Sequence, residues 1–291
     1  MPVGKIIKAL SGFYYVYSDG EVYQCRGRGV FRKQKITPLV GDEVTFEAEN
    51  QQEGYVLSIE DRRNELVRPP IANVDQALIM TSAKNPDFNP LLLDRFLVLI
   101  EANRIEPLIV ISKVDGAEEK EKIRAFQAIY ERIGYPVILT SKETDMALDQ
   151  IEKHLTDKIT VVAGQSGVGK STLLNHLDPA LAIETNEISE SLGRGKHTTR
   201  HVELFEIAGG LVADTPGFSS LEFQDLEEDQ LPECFPEFRE VQHLCKFRGC
   251  LHKKEPKCAV KAAVDNEEIS SQRYDHYLQF LEEIQTRKPR Y

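Results

Sequence analysis

The chain has 291 residues, 41% hydrophobic and 29% charged, the make-up of a globular protein of two domains, or three if some are small. Its longest unbroken apolar stretch, 96–100, is far too short to cross a membrane, and the N-terminus lacks the apolar run of a signal peptide. A cytoplasmic location without membrane partners is therefore expected, and the five cysteines are not read as a disulfide framework. The net charge of −11 argues against a polyanionic partner, but it is unevenly spread. Residues 1–40 hold seven bases against two acids, residues 246–261 hold six against one, and the middle is acidic. Local fields decide whether a polyanion is attracted.

Residues 1–68 read as β structure. Short β-branched and aromatic runs (12–17, 21–25, 41–46, 54–59) are separated by turn signals such as Ser18-Asp19-Gly20. About five strands in this length predict a small closed barrel of the OB-fold kind. Arg26, Arg28, Arg32, Lys33 and Lys35 cluster beside Phe31 in what is expected to be a barrel loop, a composition suited to phosphate contact and base stacking. Arg68-Pro69-Pro70 reads as a linker.

Residues 69–222 alternate strand and helix. Strands are expected at 74–81, 107–112, 136–140, 159–163, 201–207 and 211–213. Helices are expected from Asn89-Pro90 to about Asn103, over 118–133 and 145–155, and again after Gly169. Asn89 serves as cap and Pro90 as first helical residue. The alternation predicts a mostly parallel α/β sheet covered by helices.

Within this segment, Gly164-Gln165-Ser166-Gly167-Val168-Gly169-Lys170-Ser171 follows a strand and opens a helix, the setting a phosphate-binding loop requires. Glycines let successive backbone N–H groups turn toward phosphate oxygens, and the helix N-terminus, continuing into Thr172, adds its dipole. Lys170 is expected to reach the β- and γ-phosphates and the Ser171 hydroxyl to ligate Mg²⁺. Asp214-Thr215-Pro216-Gly217 ends an apolar strand. Asp214 is placed to hold Mg²⁺ through water and Gly217 to offer its N–H to the γ-phosphate.

Ser112-Lys113-Val114-Asp115 ends another apolar strand and resembles the [NT]-K-x-D guanine reader. Asp115 would accept both N1–H and the 2-amino group of guanine, a donor pair that adenine lacks. Ser112 departs from the usual Asn or Thr. Thr140-Ser141-Lys142, at the next strand end, resembles the S-A-K segment that contacts the base. The loop from Gly193 to Arg200 lies between the phosphate loop and Asp214, where a γ-phosphate-sensing switch belongs. Thr198 or Thr199 there can complete the Mg²⁺ shell, Thr199 being favoured. The base-reading segments precede the phosphate loop, the reverse of the usual order, as a circular permutation would produce.

Residues 223–291 hold Cys245-x₄-Cys250-x-His252-x₅-Cys258, three thiols and an imidazole that suit one closed, structural Zn²⁺. Lys246, Arg248, Lys253, Lys254, Lys257 and Lys261 surround these ligands and form a second candidate RNA surface. A final helix is expected over 267–286.

Taken together, these motifs resemble the circularly permuted GTPases of the ribosome small-subunit-dependent GTPase A family (RsgA), over nearly the whole chain. The resemblance implies an N-terminal OB-fold domain (1–68), a permuted GTPase domain (69–222) and a zinc-binding domain ending in a helix (223–291). It also implies a monomer that hydrolyses GTP to GDP and phosphate, bound to the small ribosomal subunit and its rRNA and stimulated by it, late in subunit maturation. Many GTPases place a water-orienting Gln after the D-x-x-G motif; Phe218 stands there in this chain. His197 in the switch loop is the candidate for that task, a catalytic role beside Lys170 and Thr199. A P-loop ATPase or small-molecule kinase is disfavoured by Asp115 and by the lack of a substrate lid. A non-catalytic RNA-binding protein is disfavoured by the intact Lys170, Ser171 and Asp214.

Overall fold

The computed structural model describes residues 1–67, 69–115, 117–141, 146–181, 202–213 and 221–287. The chain forms two compact units, one of residues 1–80 with 144–219 and one of residues 81–143 with 220–291.

The first unit opens with β1 (Val3–Leu10), β2 (Phe13–Ser18), β3 (Glu21–Gly27), α1 (Gly29–Gln34), β4 (Glu43–Asn50) and β5 (Glu53–Ile59). The five strands close into a barrel in the order β1-β2-β3-β5-β4, the expected small barrel. Alternation explains the closure, since Val16, Val44, Phe46 and Val56 point inward and are fully or almost fully buried while their neighbours face out. The β1 strand lies outside the β-rich runs that the sequence marks.

The basic segment corrects an expectation. Its centre is not a loop but the short helix α1, and Phe31 is only 7% exposed. The ring anchors the helix to the barrel, so it is not available to stack on a base. Pro69-Pro70 likewise lie not in an extended linker but within a hairpin between β6 (Glu65–Leu66) and β7 (Ile71–Ala72), where Leu66 pairs with Ile71 and both are buried. Gly41 lets this hairpin approach. A Cβ there would lie 2.0 Å from the Ala72 carbonyl oxygen, and its φ of +90° suits glycine.

The chain then alternates through β8 (Gln76–Ser82), α2 (Pro90–Ala102), β9 (Glu106–Ser112), α3 (Ala117–Ile133), β10 (Val137–Leu139), α4 (Met146–Leu155), β11 (Ile159–Ala163), α5 (Lys170–Leu177), β12 (Leu204–Ile207) and β13 (Gly210–Ala213). In the first unit β11 pairs in parallel with both β8 and β13, and β12 adds antiparallel to β13. All five residues of β11 are buried, the near-continuous apolar pattern of a strand covered on both faces. In the second unit β10 pairs in parallel with β9.

Helix α2 starts as its sequence dictates. The Asn89 side chain accepts from the Leu92 N–H at 3.1 Å, Pro90 fills the first turn, and Asn103 ends the helix. One face of α2 joins the core of the C-terminal segment, in which Val98 packs with Phe235, Phe238, Tyr277 and Phe280. That segment contains α6 (Pro236–Val241), α7 (Ala259–Asp265) and α8 (Ser271–Thr286). The final helix starts later than 267 because α7 is capped at Asn266 and Glu267 takes a left-handed φ of 62°.

A buried charge cluster fastens these helices within the second unit. Arg273 on α8 donates to Asp94 on α2 and, at 2.6 and 3.2 Å, to Glu237 on α6. Asp94 also bonds His276 at 2.5 Å and accepts from the Tyr130 hydroxyl at 3.0 Å. All five side chains are buried. Removing one partner from such a cluster leaves a buried charge unpaired, which costs far more than an exposed pair is worth.

Candidate functional site

In the first unit, β11 delivers the chain into the glycine-rich loop and α5 receives it. Gly164 has φ of +140°, and a Cβ there would sit 2.1 Å from the Met80 carbonyl oxygen, so both conformation and space demand glycine. Gly167 and Gly169 also have positive φ, of 79° and 103°. Val168 is buried and pins the loop, while Gln165, Ser166 and Gly167 are exposed. Gly169 caps α5 without a side chain to occupy the first-turn N–H groups, leaving the helix end suited to an anion. Lys170 arches back, its ammonium donating to the carbonyls of Gly164 at 2.8 Å and Gln165 at 2.7 Å. A positive charge is thus fixed over the loop. Ser171 is half-buried one residue further along the helix and Thr172 is exposed.

In the second unit, the two segments that carry the base-reader patterns are built from side-chain anchors. Ser112 is buried, and its hydroxyl donates to the Thr81 carbonyl at 3.1 Å while its own carbonyl accepts from the Ala83 N–H. The departure from Asn or Thr is therefore accommodated by a backbone tether. Lys113 takes a left-handed φ of 60° and its ammonium donates to the Asn85 carbonyl. Val114 is buried and its N–H donates to the Thr140 carbonyl at 3.2 Å; the Thr140 N–H in turn donates to Ile111. The two segments singled out in sequence thus lie side by side at the ends of β9 and β10, with Asp115 exposed and Ser141 half-buried. Lys142, Gly193 to Arg200 (including His197, Thr198 and Thr199), Asp214, Gly217 and Phe218 lie outside the described residues.

The Cys/His set also belongs to the second unit. One ligand atom from each of Cys245, Cys250, His252 and Cys258 lies within 4.8 Å of the others. Individual separations are 3.3 Å (His252 Nδ1 to Cys258 Sγ), 3.7 Å (Cys245 Sγ to His252 Nδ1) and 3.9 Å (Cys245 Sγ to Cys258 Sγ). A tetrahedron with Zn–S arms of 2.3 Å has edges of about 3.8 Å, so the donors fit Zn²⁺. Burial pushes Cys250 up to about 12, raises Cys258 and lowers His252. In that setting thiolates need a cation beside them, and the imidazole is held in the neutral form that ligates metals. Backbone N–H groups of Ala259 and Lys261 point at the Cys245 and Cys258 sulfurs, at 3.3 and 3.5 Å. His252 Nε2 is buried with no hydrogen-bond partner among the described residues.

Two supporting features escaped the sequence reading. Glu255 accepts from the N–H groups of Leu251, Lys253 and Lys254 at 2.8–2.9 Å and so shapes the loop between His252 and Cys258. Burial alone would raise its carboxyl, but these amides outweigh it and the pKa is lowered. In sequence it is a lone acid in a basic run. The other feature is Phe247, 44% exposed, beside Leu244 at 67%, with the Lys246 ammonium 5.3 Å from its ring centre. Arg248, Lys254 and Lys257 in the same segment are exposed. On the barrel, Arg26, Arg28, Lys33 and Lys35 are exposed, and Arg26 lies over the Phe13 ring at 5.0 Å.

Known proteins match the chain along its length. Residues 59–224 match the model of the RsgA GTPase, and residues 3–56 match that of the RsgA N-terminal domain. The chain is 62% identical, over the full length of both, to the small ribosomal subunit biogenesis GTPase RsgA 2 of Oceanobacillus iheyensis. It is 61% identical, again over both full lengths, to the small ribosomal subunit biogenesis GTPase RsgA of Bacillus subtilis. Among solved structures, it is similar to YloQ, described as a circularly permuted GTPase, with 56% identity, a TM-score of 0.87 and coverage of 100% of this chain and 97% of that one. YjeQ from Thermotoga maritima matches with 36% identity, a TM-score of 0.88 and coverage of 99% of each chain.

Proposed function

The chain belongs to the RsgA GTPase family, and from that premise we propose that it is a GTP-operated switch acting on the small ribosomal subunit late in that subunit's maturation. It binds the subunit through its rRNA, and the subunit stimulates hydrolysis of GTP to GDP and phosphate. The protein works as a cytoplasmic monomer with three functional divisions, 1–68 for RNA, 69–222 for the nucleotide and 223–291 for zinc and RNA. Among the described residues no helix is long and apolar enough to cross a membrane.

The observation that carries the nucleotide part is the joining of residues 112–115 to residues 140–141 through the Val114–Thr140 hydrogen bond. A base-reading edge built that way has no use in a protein that ignores the base. Asp115 accepts from guanine N1–H and the 2-amino group, Lys113 flanks the ring, and Ser141 and Lys142 line its edge. Residues Gly164, Gln165, Ser166, Gly167, Val168 and Gly169 cradle the phosphates with backbone N–H groups. Lys170 moves its ammonium from the Gly164 and Gln165 carbonyls to β- and γ-phosphate oxygens. Ser171 and Thr199 would hold Mg²⁺, Asp214 would support it, and Gly217 would donate to the γ-phosphate. Mg²⁺, when bound there, would supply charge neutralisation for the phosphates. His197 orients the attacking water in the place of the Gln that Phe218 displaces.

Cys245, Cys250, His252 and Cys258 hold one structural Zn²⁺, with no open position for chemistry. Exposed Arg26, Arg28, Lys33 and Lys35 on the barrel, and Lys246, Arg248, Lys254 and Lys257 around Phe247, face rRNA phosphates. Arg32, whose side chain is outside the described set, belongs to the same run, as do the half-buried Lys253 and Lys261 to the second. Subunit affinity should then fall steeply with salt.

The test is GTP turnover by the protein alone, with small subunits and with large subunits. Acceleration by small subunits only is expected. Equal rates in all three would overturn the reading. In single-turnover assays with subunits present, His197→Ala should slow hydrolysis without weakening GTP affinity; an unchanged rate removes His197 from the reaction.

A further inference from the structure

Strand β12 lies beside the barrel within the first unit, and one residue bridges the two. Lys8 on β1 forms an isolated antiparallel backbone bridge with Glu203, the residue just before β12. Its ammonium also contacts both Glu203 carboxylate oxygens at 2.9 Å. A bulge makes this possible. Ile6 pairs with Val16 and Lys8 with Tyr15, so Ile7 is an extra residue in β1. Without it Lys8 would share the inward face of Ile6, which is fully buried. The bulge turns the lysine outward to meet Glu203.

Both ends of this contact lead somewhere. On the hairpin side, Glu203 is flanked by the buried Val202 and Leu204, and Leu204 pairs with Ala213. Asp214 is the next residue in the chain. The clamp therefore grips the end of the hairpin from which the magnesium-supporting Asp214 departs. On the barrel side, Lys8 lies 5.8 Å from the Tyr15 ring centre, on the outward face of β2 that also carries Phe13 with Arg26 above it and paired across from it. Basic groups interleaved with aromatic rings are the composition of surfaces that bind single-stranded RNA. The side chains of Lys8 and Glu203 are 32% and 36% exposed, and a pair that open contributes little to stability. The fold does not need it.

We propose that Lys8 and Glu203 are positioning residues that couple RNA on the barrel to the β12–β13 hairpin, and so carry subunit stimulation to the nucleotide site. This rests on the reading that small subunits stimulate hydrolysis. Neither residue touches the nucleotide, so the pair acts only through the placement of the hairpin end.

The test uses the full-length protein with Lys8→Met, Glu203→Gln and the double charge exchange Lys8→Glu with Glu203→Lys. Turnover is measured with and without small subunits, and subunit affinity and thermal midpoint in parallel. Both single variants should keep intrinsic turnover and fold. Their subunit-stimulated kcat should fall about 5- to 20-fold at unchanged KM for GTP, the range of ordinary coupling between sites. Glu203→Gln should bind subunits as tightly as the parent protein, and the charge exchange should restore most of the stimulation. Full stimulation in both single variants, or no recovery in the exchange, overturns the coupling. So does a loss explained by weaker subunit binding, which would make Lys8 a simple phosphate contact. A parent protein that ignores subunits refutes the underlying reading instead, and the coupling with it.

Discussion

The glycine-rich loop of the first unit and the edge of paired segments in the second, proposed above to hold phosphates and base, are built by opposite means. The loop is a backbone device. Its shape depends on Gly164 fitting against Met80, and residues 165–167 are exposed. The edge is a side-chain device, held by the Ser112 hydroxyl on Thr81 and the Lys113 ammonium on Asn85 so that Asp115 is presented. Backbone amides serve every nucleoside triphosphate alike, whereas a carboxylate can choose among bases. The contrast extends to each unit's supports, since the second unit adds a Cys/His centre and a buried charge cluster to fix its side chains.

The largest expected effect is loss of metal. Elemental analysis should find one zinc per chain. Structural zinc in small modules is worth about 10 kcal/mol or more in apparent terms. A chelator, or Cys250→Ser, should therefore unfold the segment around residues 245–258 in hydrogen exchange and leave the first unit protected. A metal-free protein with that segment intact would erase the distinction between the units. Next comes Asp94→Ala, which leaves Arg273 with Glu237 alone and removes the buried partner of His276 and the Tyr130 hydroxyl. It should lower unfolding free energy by about 3–5 kcal/mol in denaturant titrations. A loss near that of an exposed pair would show that the cluster is not what holds α2, α6 and α8.

Gly164→Ala should cost about 2–4 kcal/mol, combining the strained φ with overlap on Met80. It should weaken GTP, GDP and other nucleotides by the same factor in equilibrium binding. An effect confined to guanine nucleotides would break the division of labour between loop and edge.

Much of this was legible in sequence because its information is local. Asn89-Pro90, the glycines of 164–169 and the Cys/His spacing each dictate structure within a few residues, and each behaves as its chemistry requires. What was not legible is long-range. Arg273 finds Asp94 across 179 residues and Lys8 finds Glu203 across 195, and nothing in a lone charged residue announces such a partner. The helix α1 was hidden for another reason. Its bases and flanking glycines read as a loop, and the burial of Phe31 against the barrel helps to stabilise so short a helix.

The central claim is that Asp115 selects guanine while the phosphate loop is indifferent to the base. Equilibrium binding of Asp115→Asn to GTP and to xanthosine triphosphate tests it most directly. An amide offers a donor where the carboxylate accepted, which clashes with the guanine 2-amino group and suits the xanthine 2-oxygen. GTP affinity should fall about 100-fold or more while xanthosine triphosphate becomes the tighter ligand. Unchanged preference for GTP in that variant would contradict the account.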